Sequence, residues 1–128
     1  MSRPVVAVAD DDDELLDALG LALREAGFDV IAAPSGIQLM SQIEQRPPSA
    51  FVLDVLMSWI DGVDLCRALR RNPRWSQVPI VMISGRGATG DIQRGIDAGA
   101  DDYFPKPLDV GRLIGRLRDL VQPASADA

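Results

Sequence analysis

Between Phe51 and Met57 the chain reads Phe-Val-Leu-Asp-Val-Leu-Met, a short apolar run carrying one carboxylate. A run of that length and composition reads as a strand covered on both faces, the pattern of a parallel sheet flanked by helices. An ionised Asp inside such a core is costly unless it is paired or metal-bound. Asp54 is therefore expected at the carboxyl end of its strand, where open α/β sheets bind ligands. A lone Asp after a strand reads equally well as a turn or capping residue. The decision comes from the rest of the chain.

Composition removes several classes of function. The 128 residues suffice for one domain with a real core. A net charge of −6 and a pI near 4.5 argue against direct nucleic-acid binding, which needs a basic face. Cys66 is the single cysteine, so no internal disulfide forms and a reducing cytoplasm is the expected compartment. The first residues, Met1-Ser2-Arg3-Pro4, do not open a signal peptide, and no apolar run approaches the roughly 18 residues of a membrane span. The chain has no histidine. It therefore cannot donate from a phosphohistidine of its own, and any Ser-His-Asp triad is excluded.

Taken in order, the pattern alternates. Val5 to Ala9 reads as a first strand, followed at once by Asp10-Asp11-Asp12-Asp13-Glu14. Leu15, Leu19, Leu23 and Ala26 recur at helical spacing until Gly27. Phe28 to Ala33 is a second strand, and Ser35 an N-cap for a helix carrying Met40 and Ile43 up to Pro47-Pro48. After the strand ending at Asp54 comes a loop, Ser58 to Gly62, then a helix from about Val63 to Asn72-Pro73. Val78 to Ile83 is the fourth strand, with a loop at Ser84-Gly85-Arg86-Gly87. The next helix, Thr89 to Ala98, is intrinsically weak, because Gly90 and Gly95 each cost roughly 1 kcal/mol against Ala. Asp101 to Phe104 is a short fifth strand, and a last helix from about Asp109 carries Leu113, Leu117, Leu120 and Val121. The domain is expected over residues 1–122, with 123–128 as a flexible tail.

Five strands alternating with five helices give an α/β, doubly wound, five-stranded parallel sheet with right-handed crossovers. In such sheets the site lies at the carboxyl ends of the central strands. Asp10 and Asp11 after the first strand, Asp54 after the third, Ser84 after the fourth and Lys106 after the fifth all fall at such ends. Each is weak alone; the convergence is the signal. One or two of the acidic residues, Asp12 or Asp13 with Glu14, suit a helix N-terminus, but four consecutive Asp exceed what capping needs. Asp10 and Asp11 facing Asp54 would repel unless a cation joined them. Few hard oxygen ligands suit Mg²⁺, or Mn²⁺ in its place. Zinc lacks ligands, with no His and one Cys. Lys106 is a solvated lysine or, in this ring, a phosphate ligand. Ser84 is a turn residue or a hydroxyl donor to a phosphoryl oxygen. Carboxylate, cation, lysine and hydroxyl together describe phosphoryl transfer onto Asp54.

At that point the chain resembles the receiver domain of bacterial two-component response regulators, over about Val5 to Val121. The resemblance rests on Val8-Ala9-Asp10-Asp11-Asp12, Val52-Leu53-Asp54-Val55-Leu56-Met57, Asp61-Gly62, Ile83-Ser84-Gly85, Gly99-Ala100-Asp101-Asp102-Tyr103 and Lys106-Pro107. It implies a flavodoxin-like sheet of strand order 2-1-3-4-5. It implies that Asp54 accepts a phosphoryl group from a histidine kinase or a histidine phosphotransfer protein, and that a downstream protein reads the result. Mg²⁺ is implied on Asp11 directly, on Asp10 through water, on Asp54 and on the backbone carbonyl of Leu56. Lys106 and Ser84 are implied as phosphoryl contacts, Ser84 and Tyr103 as the switch, and Lys106-Pro107 as a cis peptide. The chain is then expected to be no dedicated enzyme, catalysing only its own phosphorylation and dephosphorylation. It is expected as a monomer or a phosphorylation-dependent dimer, with no membrane or nucleic-acid contact of its own.

Three departures stand out. Ser58, followed by the bulky Trp59, stands where the family usually has Pro after the Met, Gly85 stands where Ala is common, and Pro105 removes one donor from an edge strand, where that is tolerated. Elsewhere Arg67, Arg70, Arg71 and Arg74 read as a solvated helix end, Trp75 as an exposed or half-buried packing residue, and Cys66 as core. Arg112 and Arg116 share a helix face open to a partner. Rival readings fail on named residues. A haloacid-dehalogenase-type phosphatase needs a second Asp two positions after the first, where Leu56 stands. A flavodoxin-type carrier needs a neutral, hydroxyl-rich first loop, where four Asp would repel the FMN phosphate. A degenerate receiver would lack part of the ring, whereas Asp10, Asp11, Asp54, Ser84 and Lys106 are all present.

Overall fold

The computed structural model describes residues 3–57, 60–85 and 89–121. Ser58, Trp59, Arg86, Gly87 and the expected tail lie outside the described residues. The elements in chain order are β1 (Val5–Ala9), α1 (Asp13–Glu25), β2 (Asp29–Ala33), α2 (Gly36–Gln45), β3 (Ala50–Asp54), α3 (Gly62–Arg71), β4 (Ile80–Ser84), α4 (Thr89–Asp97), β5 (Asp102–Pro105) and α5 (Val110–Val121). The five strands form one parallel sheet in the order β2-β1-β3-β4-β5.

Local sequence explains most boundaries. Asp12 caps α1 by accepting from the backbone N–H groups of Glu14 and Leu15, and Ser35 caps α2 by accepting from Gln38. Gly27, at φ 105°, takes the left-handed conformation just past the C-terminal end of α1. Asp61 caps α3, its Oδ1 accepting from the Asp64 N–H at 2.8 Å. The strands alternate faces, so β1 and β3 each feed two cores. Val6, Val8, Ala50, Val52, Val81 and Ile83 pack beneath α1 and α5 with Leu19, Leu23, Leu113 and Leu117. Ala7, Phe51, Leu53, Ile80 and Met82 pack against α2 and α3 with Leu39, Ile43, Leu65 and Leu69. Burial on both faces is why β3 and β4 read as unbroken apolar runs rather than alternating ones.

Two expectations are corrected. Trp75 is not exposed or half-buried: it is 1% exposed and meets Phe51 edge-on, ring centroids 6.2 Å apart. Arg70 is not part of a solvated helix end. Its Nε donates to Gly99 O (2.9 Å), its Nη1 to Val78 O (2.7 Å) and Ser76 O (3.2 Å), and its Nη2 to Asp101 Oδ2 (3.0 Å). Arg67, Arg71 and Arg74 do lie at the surface, with Arg74 paired to Glu44 at 2.7 Å. β5 starts one residue later than expected because Asp101 is spent on this clip: its Oδ2 also accepts from the Ile80 N–H at 2.8 Å.

Candidate functional site

The sheet register builds the site. Ala9 pairs with Leu53, so Asp10 and Asp54 emerge side by side at the carboxyl ends of β1 and β3. Asp54 pairs with Ile83, and Ser84 closes β4 opposite Pro105. Pro105, paired with Ser84, turns its nitrogen to the open edge of the sheet, where a missing N–H costs no bond to β4, and the Lys106 N–H donates to Ser84 O at 2.8 Å. That bond fixes the root of the lysine at the same end as the carboxylates. The Lys106–Pro107 peptide is cis.

The side chains converge on one point. Lys106 Nζ stands 2.8 Å from Asp10 Oδ2 and 3.2 Å from Asp54 Oδ2. Its approach to Asp10 is a close ion contact rather than an aligned hydrogen bond, whereas Asp54 accepts a hydrogen bond from it. Asp10 Oδ1 accepts from the Asp12 N–H at 2.9 Å and Asp54 Oδ1 from the Leu56 N–H at 3.3 Å. Asp10 is fully buried and Asp54 is 3% exposed. Carboxylate oxygens of Asp10, Asp11 and Asp54 lie within 4.8 Å of one another, with Asp11 on the exposed side.

Charge at this point is unbalanced. Two buried carboxylates share one ammonium, and a third carboxylate sits beside them. Desolvation, and then the charge of Asp10, push the Asp54 carboxyl up to about 6, against the opposing pull of Lys106 and the Leu56 N–H. Burial opposes the charge on Lys106, yet its close contact with the Asp10 carboxylate and the charge of Asp54 carry its pKa above the ordinary value. Three oxygen donors and a surplus negative charge fit a hard divalent cation held by few protein ligands. The donor set contains no thiolate or imidazole and does not fit a soft metal.

Of the other expected residues, Ser84 is fully buried at the end of β4. Tyr103 lies half-buried in β5, opposite Met82 and against the α2/α3 core. Leu56 presents an exposed side chain just past β3. Cys66 is inert: it is buried, its thiol donates to Ala98 O (3.5 Å), and burial pushes it up to about 11. Arg116 is paired with Asp102 at 2.8 Å, while Arg112 is exposed on the same helix.

The family model for the response regulator receiver domain matches residues 6–118. The chain belongs to that family. The receiver is 35% identical over 119 residues to the DNA-binding dual master transcriptional regulator RpaA of Synechocystis, covering 93% of this chain and 49% of RpaA. It is 38% identical over 117 residues to the transcriptional regulatory protein CseB of Streptomyces coelicolor, covering 91% of this chain and 49% of CseB. The chain thus spans about half the length of these curated relatives. Among solved structures, a response regulator from Chloroflexus aurantiacus superposes with TM-score 0.89 at 35% identity, covering 94% of the receiver and 98% of that chain. The flavodoxin-like architecture and the 2-1-3-4-5 order implied by the resemblance are those observed. As a receiver domain of two-component regulators, the chain belongs to a family whose general role is to accept a phosphoryl group.

Asp61 and Arg94 were given no role by the sequence. They pair across 3.4 Å, from the cap of α3 to α4. Asp61 was visible inside the Asp61-Gly62 motif; nothing local marks Arg94 as its partner.

Proposed function

We propose that Asp54 is the phosphoacceptor of this receiver, in a reaction that requires Mg²⁺ or Mn²⁺. The observation that carries the reading is the Asp10–Lys106–Asp54 constellation: a buried carboxylate at the end of a central strand, with a lysine and further carboxylates at hydrogen-bonding range. Asp10, Asp11, Asp54 and the Leu56 carbonyl would hold the metal, which would supply neutralisation of the oxygens in flight. An Asp54 oxygen attacks phosphorus, the phosphorus–nitrogen bond of the donor phosphohistidine breaks, and the imidazole leaves with the electron pair and takes up a proton. Lys106 meets a phosphoryl oxygen as a point charge. Ser84 donates its hydroxyl to another, and Tyr103 answers its movement.

The donor is a histidine kinase or a histidine phosphotransfer protein, since the chain has no histidine of its own. The output is a changed protein-binding face, read by a partner module or a separate protein, with the receiver as monomer or phosphorylation-dependent dimer. The readout upstream of DNA is supported by relatives named as transcriptional regulators, and the acidic charge of this chain argues against nucleic-acid contact of its own. No described helix is long and apolar enough to cross a membrane; the cytoplasm as the proposed compartment rests on the single cysteine. The chain acts as a signalling module rather than a dedicated enzyme.

Intact-mass spectrometry after incubation with acetyl phosphate and Mg²⁺ tests the acceptor. One added phosphoryl group is expected on the wild type and none on Asp54→Asn. Undiminished labelling of the variant would overturn the assignment.

A further inference from the structure

The underside of the acceptor strand reaches α4 through a path that uses neither Ser84 nor Tyr103. The Gly62 N–H donates to Val55 O at 2.9 Å. A Cβ on Gly62 would stand 2.1 Å from Asp54 O and 2.8 Å from Asp54 C, so the first turn of α3 lies directly on the acceptor's own backbone. The same absent Cβ would meet Met82 Cε at 2.9 Å, and Met82 Cγ in turn lies 3.4 Å from where a Cβ would stand on Gly95 of α4. Met82 is thus a flexible plug seated between a glycine of α3 and a glycine of α4. Thioether side chains adapt to shifts in such a slot with little loss of contact.

Among the described residues, two polar ties close this slot from outside, and they differ in strength. At the far end of α4, Arg70 Nε holds Gly99 O at 2.9 Å as part of a five-acceptor clip, and Cys66 Sγ meets Ala98 O at 3.5 Å. Nearer the acceptor, Arg94 Nη2 meets Asp61 Oδ2 at 3.4 Å, with the two side chains 48% and 30% exposed. The first tie is a fixed anchor. The second is a long, half-solvated ion pair of the kind that contributes little and breaks readily.

We propose that the Asp61–Arg94 pair is a latch that holds α4 down over Met82 in the resting receiver, and that it opens when Asp54 is modified. Crowding at Asp54 displaces the backbone on which Gly62 rests. Asp61, one residue away, moves with it, and α4 is released to pivot on Met82 about its anchored end at Gly99. The signalling use of the latch rests on Asp54 being the acceptor; the latch itself does not.

Asp61→Asn tests the pair without removing the cap, because Asn caps as well as Asp. Arg94→Gln removes the other partner, and Arg94→Lys restores the charge. The readouts are hydrogen exchange across residues 92–98 in resting protein, and the affinity for beryllofluoride with Mg²⁺ as a phosphoryl mimic. Exchange about threefold faster is expected in Asp61→Asn and in Arg94→Gln, with no further gain in the double variant. Arg94→Lys should lie near wild type, and the first turn of α3 should stay protected throughout. Beryllofluoride should bind about twofold to threefold tighter to each latch variant, because the resting state is no longer held. Unchanged exchange in α4, or effects that multiply in the double variant, would overturn the latch. Faster exchange with unaltered beryllofluoride affinity would reduce the pair to a structural tie and overturn its switching role. The exchange arm involves no phosphoryl chemistry, so its failure is distinct from a failure of the Asp54 assignment.

Discussion

The two ends of the sheet each centre on one cation, and they treat it differently. At the amino-terminal end of β4 and β5, Arg70 meets one carboxylate, Asp101, and the carbonyls of Trp75, Ser76, Val78 and Gly99. One positive charge faces one negative charge, and carbonyl dipoles take the Nε and Nη1 donors. At the carboxyl-terminal end, Lys106 meets two buried carboxylates with a third beside them. Negative charge is left over in a desolvated place. A clip that only holds the fold closes its ledger; the cluster proposed to take a cation and a phosphoryl group leaves it open. The contrast separates structural from functional charge clusters more sharply than burial or residue type alone.

The largest effect is expected where the balance is complete. Arg70→Ala strips the donors from several carbonyls and from Asp101 at once, and should destabilise the fold by on the order of 2 to 4 kcal/mol. Arg70→Lys can satisfy one or two of those acceptors and should recover part of the loss. Urea denaturation at pH 7.5 measures both. A loss below about 0.5 kcal/mol for Arg70→Ala would break the comparison, by showing that the clip is no stronger than a surface pair.

The opposite sign is expected at the open end. The Asp54 carboxyl is raised to about 6 in the folded state, so the folded protein binds its proton more tightly than the unfolded chain does. Its contribution is therefore least unfavourable below the unfolded value near 4, and stability is lost as pH rises through about 6. Asp54→Asn removes that penalty. In metal-free buffer the variant should be more stable than wild type by on the order of 1 to 3 kcal/mol at pH 7.5, and the difference should shrink toward pH 4. A variant that is less stable at pH 7.5 would mean that Lys106 already balances the site.

How much of this was legible in the sequence depends on range. The strands declared themselves, because burial on both faces forces unbroken apolar runs such as Phe51 to Leu53 and Ile80 to Ile83. The start of α1 within Asp12 or Asp13, the cap at Ser35 and the stop at Gly27 are local chemistry and were readable for that reason, with Asp12 the residue that caps. That Asp10, Asp54, Ser84 and Lys106 lie at one edge was legible because parallel topology carries strand ends together. Arg70, Trp75 and the Asp61–Arg94 pair were not. The acceptors of Arg70 include Gly99 and Asp101, and Arg94 reaches back to the cap of α3, contacts that no spacing rule encodes. Val78 misled for the same reason: its β-branched side chain reads as strand, but it precedes β4 and its carbonyl belongs to the clip.

A smaller effect should mark what the open end is for. If the surplus charge serves a cation, millimolar Mg²⁺ should raise the melting temperature of wild type, and ten times its dissociation constant corresponds to about 1.4 kcal/mol. Asp11→Ala should lose that gain while keeping the Arg70 clip and its contribution. Equal stabilisation of wild type and Asp11→Ala would leave the acidic run as nothing more than a helix start.

The smallest effect is the control at the balanced end. Arg74 lies four residues from Arg70, pairs with Glu44 at 2.7 Å and places its guanidinium carbon 4.7 Å from the Trp75 ring centroid. Its ion pair is as short as the closest contact of Arg70. Its side chain is 44% exposed and that of Glu44 56%, against 21% for Arg70. Water therefore competes for both members of the pair, and holding two long side chains in one geometry costs entropy. The Arg74–Glu44 coupling from a double-mutant cycle should be no more than about 0.5 kcal/mol, with a further contribution of similar size from the stacking on Trp75. Arg74→Ala should change Trp75 emission while barely moving the urea midpoint. A coupling as large as the loss in Arg70→Ala would show that charge pairing at this end is strong whatever its exposure, and that desolvation is not what distinguishes the two ends of the sheet.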